Sequence, residues 1–242
     1  MYDVLIIGAG PGGIFSAYEL IRQNPQLKVG VFEAGHELNK RKCPIDGKKI
    51  KTCIGCKSCS IMSGFGGAGA FSDGKYNITN DFGGTLYEYI GKKNALELMR
   101  YVDDINMAFG GEGTKLYTTA GSHIKKMCLQ NDLHLLDASV RHLGTDINYV
   151  VLENLYAYLK EKVDFFFDTP VETVRVTEDG YELTARGQTF SCKDCVISVG
   201  RSGSKWMESV CRDMDIPTKS NRVDIGVRVE LPAEIFSHLT DE

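Results

Sequence analysis

The chain begins Tyr2-Asp3-Val4-Leu5-Ile6-Ile7 and breaks at once into Gly8-Ala9-Gly10-Pro11-Gly12-Gly13, an apolar strand running into G-x-G-x-x-G. This stretch constrains the fold more than any other, because it needs a strand, a tight turn and a helix start in fixed order. Gly8 allows the turn, Gly10 leaves space for a diphosphate where a Cβ would stand, and Gly13 lets the helix pack close on the strand. The helix start offers free N–H groups and the positive end of the helix dipole to that anion. The flanking sequence agrees. Ile14, Ala17, Tyr18 and Ile21 recur at helical spacing, Asn24-Pro25 ends the helix, and Lys28-Val29-Gly30-Val31-Phe32 reads as a second strand. Glu33 closes it 20 positions past Gly13, where a carboxylate accepts hydrogen bonds from an adenosine ribose and favours a bare 2′-hydroxyl over a 2′-phosphate.

Size and charge narrow the rest. With 242 residues, 43% hydrophobic and 25% charged, the chain can bury a core for one large domain, or one domain plus a small insertion. A net charge of −4 without any long Lys/Arg run predicts no nucleic-acid surface. Lys48-Lys49-Ile50-Lys51 and Lys125-Lys126 read as solvated faces. No apolar stretch of about 18 residues is present, so no membrane span is expected. The first strand starts at the second residue and leaves no room for a signal peptide, which makes the cytoplasm the expected compartment. Eight cysteines there point to metal or redox chemistry in preference to a disulfide framework.

After the βαβ opening, Ala34 to Asp81 lacks hydrophobic periodicity and must be mostly loop. Ala95, Leu98, Met99, Val102, Ile105 and Ala108 predict a helix from Asn94 to Phe109, ended by Gly110-Gly111-Glu112-Gly113. Tyr149 to Lys162 is a second helix with Val150, Leu152, Leu155, Tyr156 and Leu159 inward; Thr145 or Asp146 is its expected N-cap. Then come short strands at Val163–Phe167, Val171–Val176, Tyr181–Ala185, Thr189–Ser191 and Cys195–Val199, separated by turn signals. Trp206 and Met207 read as core of a helix after Ser204.

Two stretches of the long loop carry chemistry. Ser63 to Lys75 holds five glycines in thirteen residues, a composition suited to backbone lying against a flat or charged ligand, and Phe65 and Phe71 argue against a mere flexible linker. Cys53, Cys56 and Cys59 form C-x2-C-x2-C, with Cys43 ten positions earlier. The spacing suits an iron–sulfur cluster better than zinc. Redox-active thiols and plain reduced cysteines are the other two readings. Cys192 and Cys195 fall in a β region, and Cys195 reads as a small core residue. His142, just before the second helix, is a candidate acid–base group; His123 and His134 are weaker candidates.

Gly64-Phe65-Gly66-Gly67-Ala68-Gly69 resembles a Gly-Phe-Gly-Gly-Ala-Gly motif, and Phe166-Phe167-Asp168-Thr169-Pro170-Val171 and Cys195 to Gly203 fall where two further signature segments are expected. On these residues the chain resembles the two-dinucleotide-binding-domain flavoproteins, most closely the bacterial FAD-dependent dehydrogenases or NAD(P)/FAD-dependent oxidoreductases. The likeness covers essentially the whole chain. It implies an α/β, three-layer FAD/NAD(P)-binding Rossmann-like fold with a small β-meander. Residues 1–210 would be the FAD-binding domain, with a Cys/Gly-rich loop at 34–81 and a helical insertion at about 82–140; residues 211–242 would begin a substrate domain. It also implies a backbone contact from Val171 to adenine and a close turn at Gly200. Ser198-Val199 departs from the Ala-Thr usual there, so a threonine hydroxyl contact is lost.

The candidate cofactor contacts are therefore Gly8, Gly10, Pro11, Gly13, Glu33, Arg41, Gly64, Gly66, Gly67, Ala68, Gly69, Ser72, Asp73, Val171 and Gly200. The candidate cluster ligands are Cys43, Cys53, Cys56 and Cys59. The expected activity is electron or hydride transfer at FAD, with NAD(P)H as a candidate donor and a small-molecule substrate or an electron-transfer partner. A non-catalytic dinucleotide- and metal-binding assembly or sensor protein is the alternative. An RNA-modifying flavoprotein is a third, disfavoured by the acidic charge. No late Gly-Asp-type strand returns to the cofactor, and Asp224 to Leu231 reads as a strand entering a substrate domain. A longer native protein or a partner chain is expected to complete the fold.

Overall fold

The computed structural model describes residues 1–220, 225–227 and 229–240. Alternation in the opening strand, β1 (Tyr2–Ile7), builds both halves of the core. Val4 and Ile6 join Ile14, Ala17 and Ile21 of helix α1 (Pro11–Gln23) on one face, and Leu5 and Ile7 join a separate apolar cluster on the other. β1 pairs in parallel with β2 (Val29–Phe32), whose four residues are all buried, as a strand covered on both faces requires.

The region expected to be loop and helical insertion holds more structure than its sequence suggested. β3 (Lys75–Ile78), β4 (Leu116–Thr118) and β5 (Ser139–His142) form a separate antiparallel sheet in the order β3-β5-β4. Around it stand α2 (Leu86–Ile90), α3 (Lys92–Asn106) and α4 (His123–Gln130). The insertion is thus mixed, not purely helical. A buried ion pair ties it together: Arg141 on β5 grips Asp103 on α3 at 2.7 Å and donates to the Thr114 carbonyl at 2.6 Å. The predicted 94–109 helix begins slightly earlier and ends in a wide turn at Met107–Gly111, where Gly110 sits at φ 125°.

Helix α5 (Gly144–Leu159) starts five residues before the expected Tyr149. Neither Thr145 nor Asp146 caps it, because Gly144 at φ 74° already turns the chain into the helix after Leu143 N–H bonds to the Gly74 carbonyl. Val151, Leu152, Leu155 and Leu159 bury it against α1 and β1. β6 (Asp164–Phe166) then adds in parallel to β2, and β7 (Val171–Thr177), β8 (Gly180–Ala185) and β9 (Gln188–Ile197) form the meander.

The main sheet runs β6-β2-β1-β9-β8-β7. The two short strands expected at 189–191 and 195–199 are one ten-residue strand that changes partner at Cys192: its first half pairs antiparallel with β8, its second half parallel with β1. Cys192 is buried at that handover, so the meander curls over the second face, where Val174 and Leu183 meet Leu5 and Ile7. The result is three layers: helices, parallel sheet, meander.

Helix α6 (Ser204–Asp213) follows a tight turn at Gly200–Gly203, with Val210 and Cys211 buried; α7 (Ala233–Thr240) lies near the chain end. Part of the expected strand Asp224 to Leu231, namely Asp224 and Arg228, falls outside the described residues. Its described residues form no strand. Ile225 and Val227 are 94% and 90% exposed, and neither belongs to a sheet among the described residues.

Glycine packing makes the opening motif testable. A Cβ at Gly13 would overlap the Gly8 carbonyl oxygen, whereas one at Gly200 meets nothing within 4 Å. Gly13→Ala is expected to cost roughly 1–3 kcal/mol as an overpacking change. Gly200→Ala is expected to stay within about 0.5 kcal/mol. Urea denaturation midpoints check both.

Candidate functional site

Parallel strands β1, β2 and β9 all end at one edge, and the loops leaving them surround a cleft of about 1040 Å³. This is where the chain leaves β1 to one side for β2 and returns on the other as β9, the position at which open α/β sheets bind ligands. The volume lies at the upper end of the usual range for ligand sites, roughly 300–1,000 Å³.

A buried carboxylate organises the cleft. Glu33, at the end of β2, is only 7% exposed. Its Oε2 accepts from the Ala9 N–H at 2.7 Å, and its Oε1 from Gly35 at 2.8 Å and Gly64 at 2.9 Å. One side chain therefore joins the β1–α1 turn, the end of β2 and the glycine-rich loop. Its backbone extends the tie, since Glu33 N–H donates to Phe166 and the Glu33 carbonyl accepts from Thr169.

The glycine loop is fixed in the same way. Gly66 N–H donates to Ala9 at 2.8 Å and Phe65 N–H to His36 at 3.1 Å, while the Phe65 ring is fully buried. Arg41 lies beneath the loop, not in the cleft. Its guanidinium donates to the carbonyls of Ser60 (2.9 Å), Ile61 (2.9 Å) and Phe65 (2.5 Å), and it faces the Phe71 ring. The expected ligand contact is therefore a loop staple; burial pushes the Arg41 pKa down and the Glu33 charge opposes this.

The other expected contacts divide into four groups. Gly8, Gly10, Pro11, Glu33, Gly64, Gly67, Ala68, Gly69, Val171 and Gly200 all line the cleft. Gly13 lies behind it as a packing residue, and Gly66 and Ser72 line a smaller neighbouring cavity. Asp73 lines neither. It is exposed and paired with Lys75 at 2.9 Å, which with His142 nearby holds its carboxyl below the usual range. His142 is exposed on β5 opposite Lys75 and lines neither cavity, so the structure does not bring it to the cleft.

The four loop cysteines are not gathered. Cys43, Cys53, Cys56 and Cys59 are exposed free thiols, and among the described residues no three His, Cys, Asp or Glu side chains converge as metal ligands. Tandem x2 spacing needs a loop that wraps back on one centre. Here the chain from Lys51 to Lys57 is exposed and without regular structure. Cys56 lines the cleft mouth.

Several lining residues had no local sequence signal. His36 pairs with Asp168, which sits at φ 53° and is held by its own N–H to the Gly35 carbonyl. Gly35 must be glycine, because a Cβ there would overlap the Gly64 backbone. Ser198, beside the Val199 position where a threonine hydroxyl was expected to be lost, uses its hydroxyl on the carbonyls of Ile7 (3.1 Å) and Gly8 (3.2 Å), securing the turn from the other side. Long-range pairing alone reveals these roles.

The cleft has the features of an anion and nucleoside site. A Cβ built at Gly10 would stand 3.9 Å from its nearest neighbour, the Gly67 Cα, so the space beside the α1 N-terminus is open. Gly12 and Gly13 carry amides that a helix start leaves without intrahelical acceptors. Lys57 and Arg201 line the same cleft. The Ser58 hydroxyl there is buried and has no hydrogen-bond partner among the described residues.

No protein-family model matches the sequence, and no curated protein matches it. Among solved structures the fold is similar to glycine oxidase from Geobacillus kaustophilus, with TM-score 0.51 and 17% identity over 88% of this chain and 58% of that one. Glycine oxidase from Bacillus cereus gives 0.47 and 14% over 88% and 59%. L-amino acid deaminase from Proteus vulgaris gives 0.46 and 11% over 89% and 50%. The first of these likenesses shows a shared fold; the chain spans about six tenths of that oxidase. No described helix is long and apolar enough to cross a membrane.

Two outcomes follow from this geometry. In Glu33→Gln an amide NH₂ must face at least one of the three backbone donors, so a loss of about 2–3 kcal/mol is expected. Faster hydrogen exchange at Ala9, or at Gly35 and Gly64, reports which side opens. In alkylation at pH 8 followed by mass spectrometry, Cys43, Cys53, Cys56 and Cys59 should react first. Burial pushes the Cys195 pKa up to about 12, so it stays a protonated thiol and is labelled only after unfolding.

Proposed function

We propose that the cleft binds FAD and that the protein is the cofactor-binding part of an oxidoreductase. The observation that carries this reading is the open space at Gly10. It lies at a helix N-terminus, in the same cleft as the Glu33 carboxylate, the glycine loop and the Gly200 turn. The fold shared with an oxidase supports it.

In this reading the amides of Gly12 and Gly13 hold the diphosphate, with Lys57 and Arg201 offsetting its charge. Glu33 already accepts three backbone bonds, and its Oε2, which carries one of them, has a lone pair left for a ribose hydroxyl. The backbone at Val171 meets adenine, and Gly67 to Gly69 lie along the remainder of the ligand. Bound flavin supplies a ring that takes up a hydride or single electrons. NAD(P)H is the donor class we assign, and the second reactant is a small molecule or an electron-transfer partner. We place most substrate contacts on a further part of the protein or a partner chain, because the chain spans 58% of the similar glycine oxidase.

Heat-denatured protein is expected to release FAD, identified chromatographically; release of NAD(H) without flavin would contradict the proposal. Gly10→Val is expected to keep the far-UV spectrum of the parent and the melting temperature of the flavin-stripped parent, since its Cβ has room, yet to be purified without flavin.

A further inference from the structure

A second cavity, about 150 Å³, lies on the other side of the glycine loop and shares Pro11 and Gly69 with the large cleft. Its walls are of two kinds. Ile14, Leu152 and Leu155 give an apolar side; Asn106, Lys75 and Ser72 give a polar one.

Asn106 is the unusual member. It is the last residue of α3 and 1% exposed, and its Nδ2 has no hydrogen-bond partner among the described residues. An unpaired buried amide N–H is costly, so such groups are rare unless something else satisfies them. Its neighbour Asn148, equally buried, shows the contrast. It donates to the Gly69 and Ala70 carbonyls and accepts from Tyr76, so it is fully engaged in holding the loop. Asn106 lines the cavity with its donor unused.

Lys75 adds a cation at the same cavity. Its partner Asp73 lies 2.9 Å away, but both side chains are more than half exposed, and such pairs contribute little. A ligand can draw the ammonium away at small cost. Donors and aliphatic side chains lining one cavity suit a ligand with an acceptor head and a short apolar body. A cavity of about 150 Å³ takes a ligand of roughly benzene size.

We propose that this cavity binds a small organic carboxylate, its head on Asn106 Nδ2 and the Lys75 ammonium and its alkyl body against Ile14, Leu152 and Leu155. The site rests on the cavity's own residues and not on the identity of the ligand in the larger cleft. It would hold a small acid directly beside that cleft.

The test uses isobutyrate as probe, with isobutyramide and isobutanol as uncharged controls, followed by ligand-observed saturation-transfer NMR and calorimetry on the protein as purified. Isobutyrate is expected to bind saturably and isobutanol not to. Asn106→Leu should weaken isobutyrate at least about tenfold, with a melting temperature equal to or above that of the parent, because the unpaired amide is gone. Lys75→Gln, at an exposed position, should weaken isobutyrate but not isobutyramide. Binding should persist in Gly10→Val. Absence of saturable isobutyrate binding, or unchanged affinity in Asn106→Leu, would overturn the proposal. Loss of binding in Gly10→Val would do so too, by assigning the acid to the dinucleotide cleft.

Discussion

A carboxylate taken out of water must be compensated, and Glu33 finds its hydrogen bonds in backbone amides of Ala9, Gly35 and Gly64. These three groups belong to segments far apart in sequence, and backbone bonds such as Gly66 N–H to the Ala9 carbonyl reinforce their meeting. The β1–α1 turn, the exit from β2 and the glycine loop converge on one charged group. The requirement also explains the glycines around it. Gly35 and Gly64 approach so closely that a Cβ on either would collide with backbone or with Arg41, and Gly64 sits at φ 115°.

The cleft follows from that convergence. Strand β9 returns beside β1 and hands its chain to Ser198, whose hydroxyl holds the Gly8 turn from the side opposite Glu33. Gripped from both sides, the turn presents the α1 N-terminus and the open space at Gly10 in a fixed position. Gly8 and Gly13 thus serve packing, whereas Gly10 borders open space. One motif divides into two physical roles, which substitutions can separate.

The strand–turn–helix opening was legible because its information is local: alternation, helical spacing and glycines at fixed offsets. The glycine loop was legible by composition, and Val171 and Gly200 through family likeness. What escaped depends on distant pairing. Gly35 is explained only by Gly64, Ser198 by Ile7 and Gly8, and Asp168 by His36. The small sheet escaped because its strands are only three or four residues long: β4 is exposed along its length, and the alternation in β3, with Tyr76 half-buried and Ile78 buried, is too short to read as a strand. The two strands expected near Cys192 are one, because burial there changes with the strand's partner, not with its end. The cysteine spacing suggested a centre that the exposed loop does not assemble, since spacing alone says nothing of where a loop turns.

The central claim is that the edge where β1, β2 and β9 end is a dinucleotide site built on Glu33 and the Gly10 gap. A crystal structure of the protein with its co-purified or added flavin dinucleotide tests this most directly. The account predicts the diphosphate over Gly10 at the α1 N-terminus, the ribose at Glu33 and the adenine against Val171. A dinucleotide bound elsewhere, with the Gly10 space left to solvent, would contradict it.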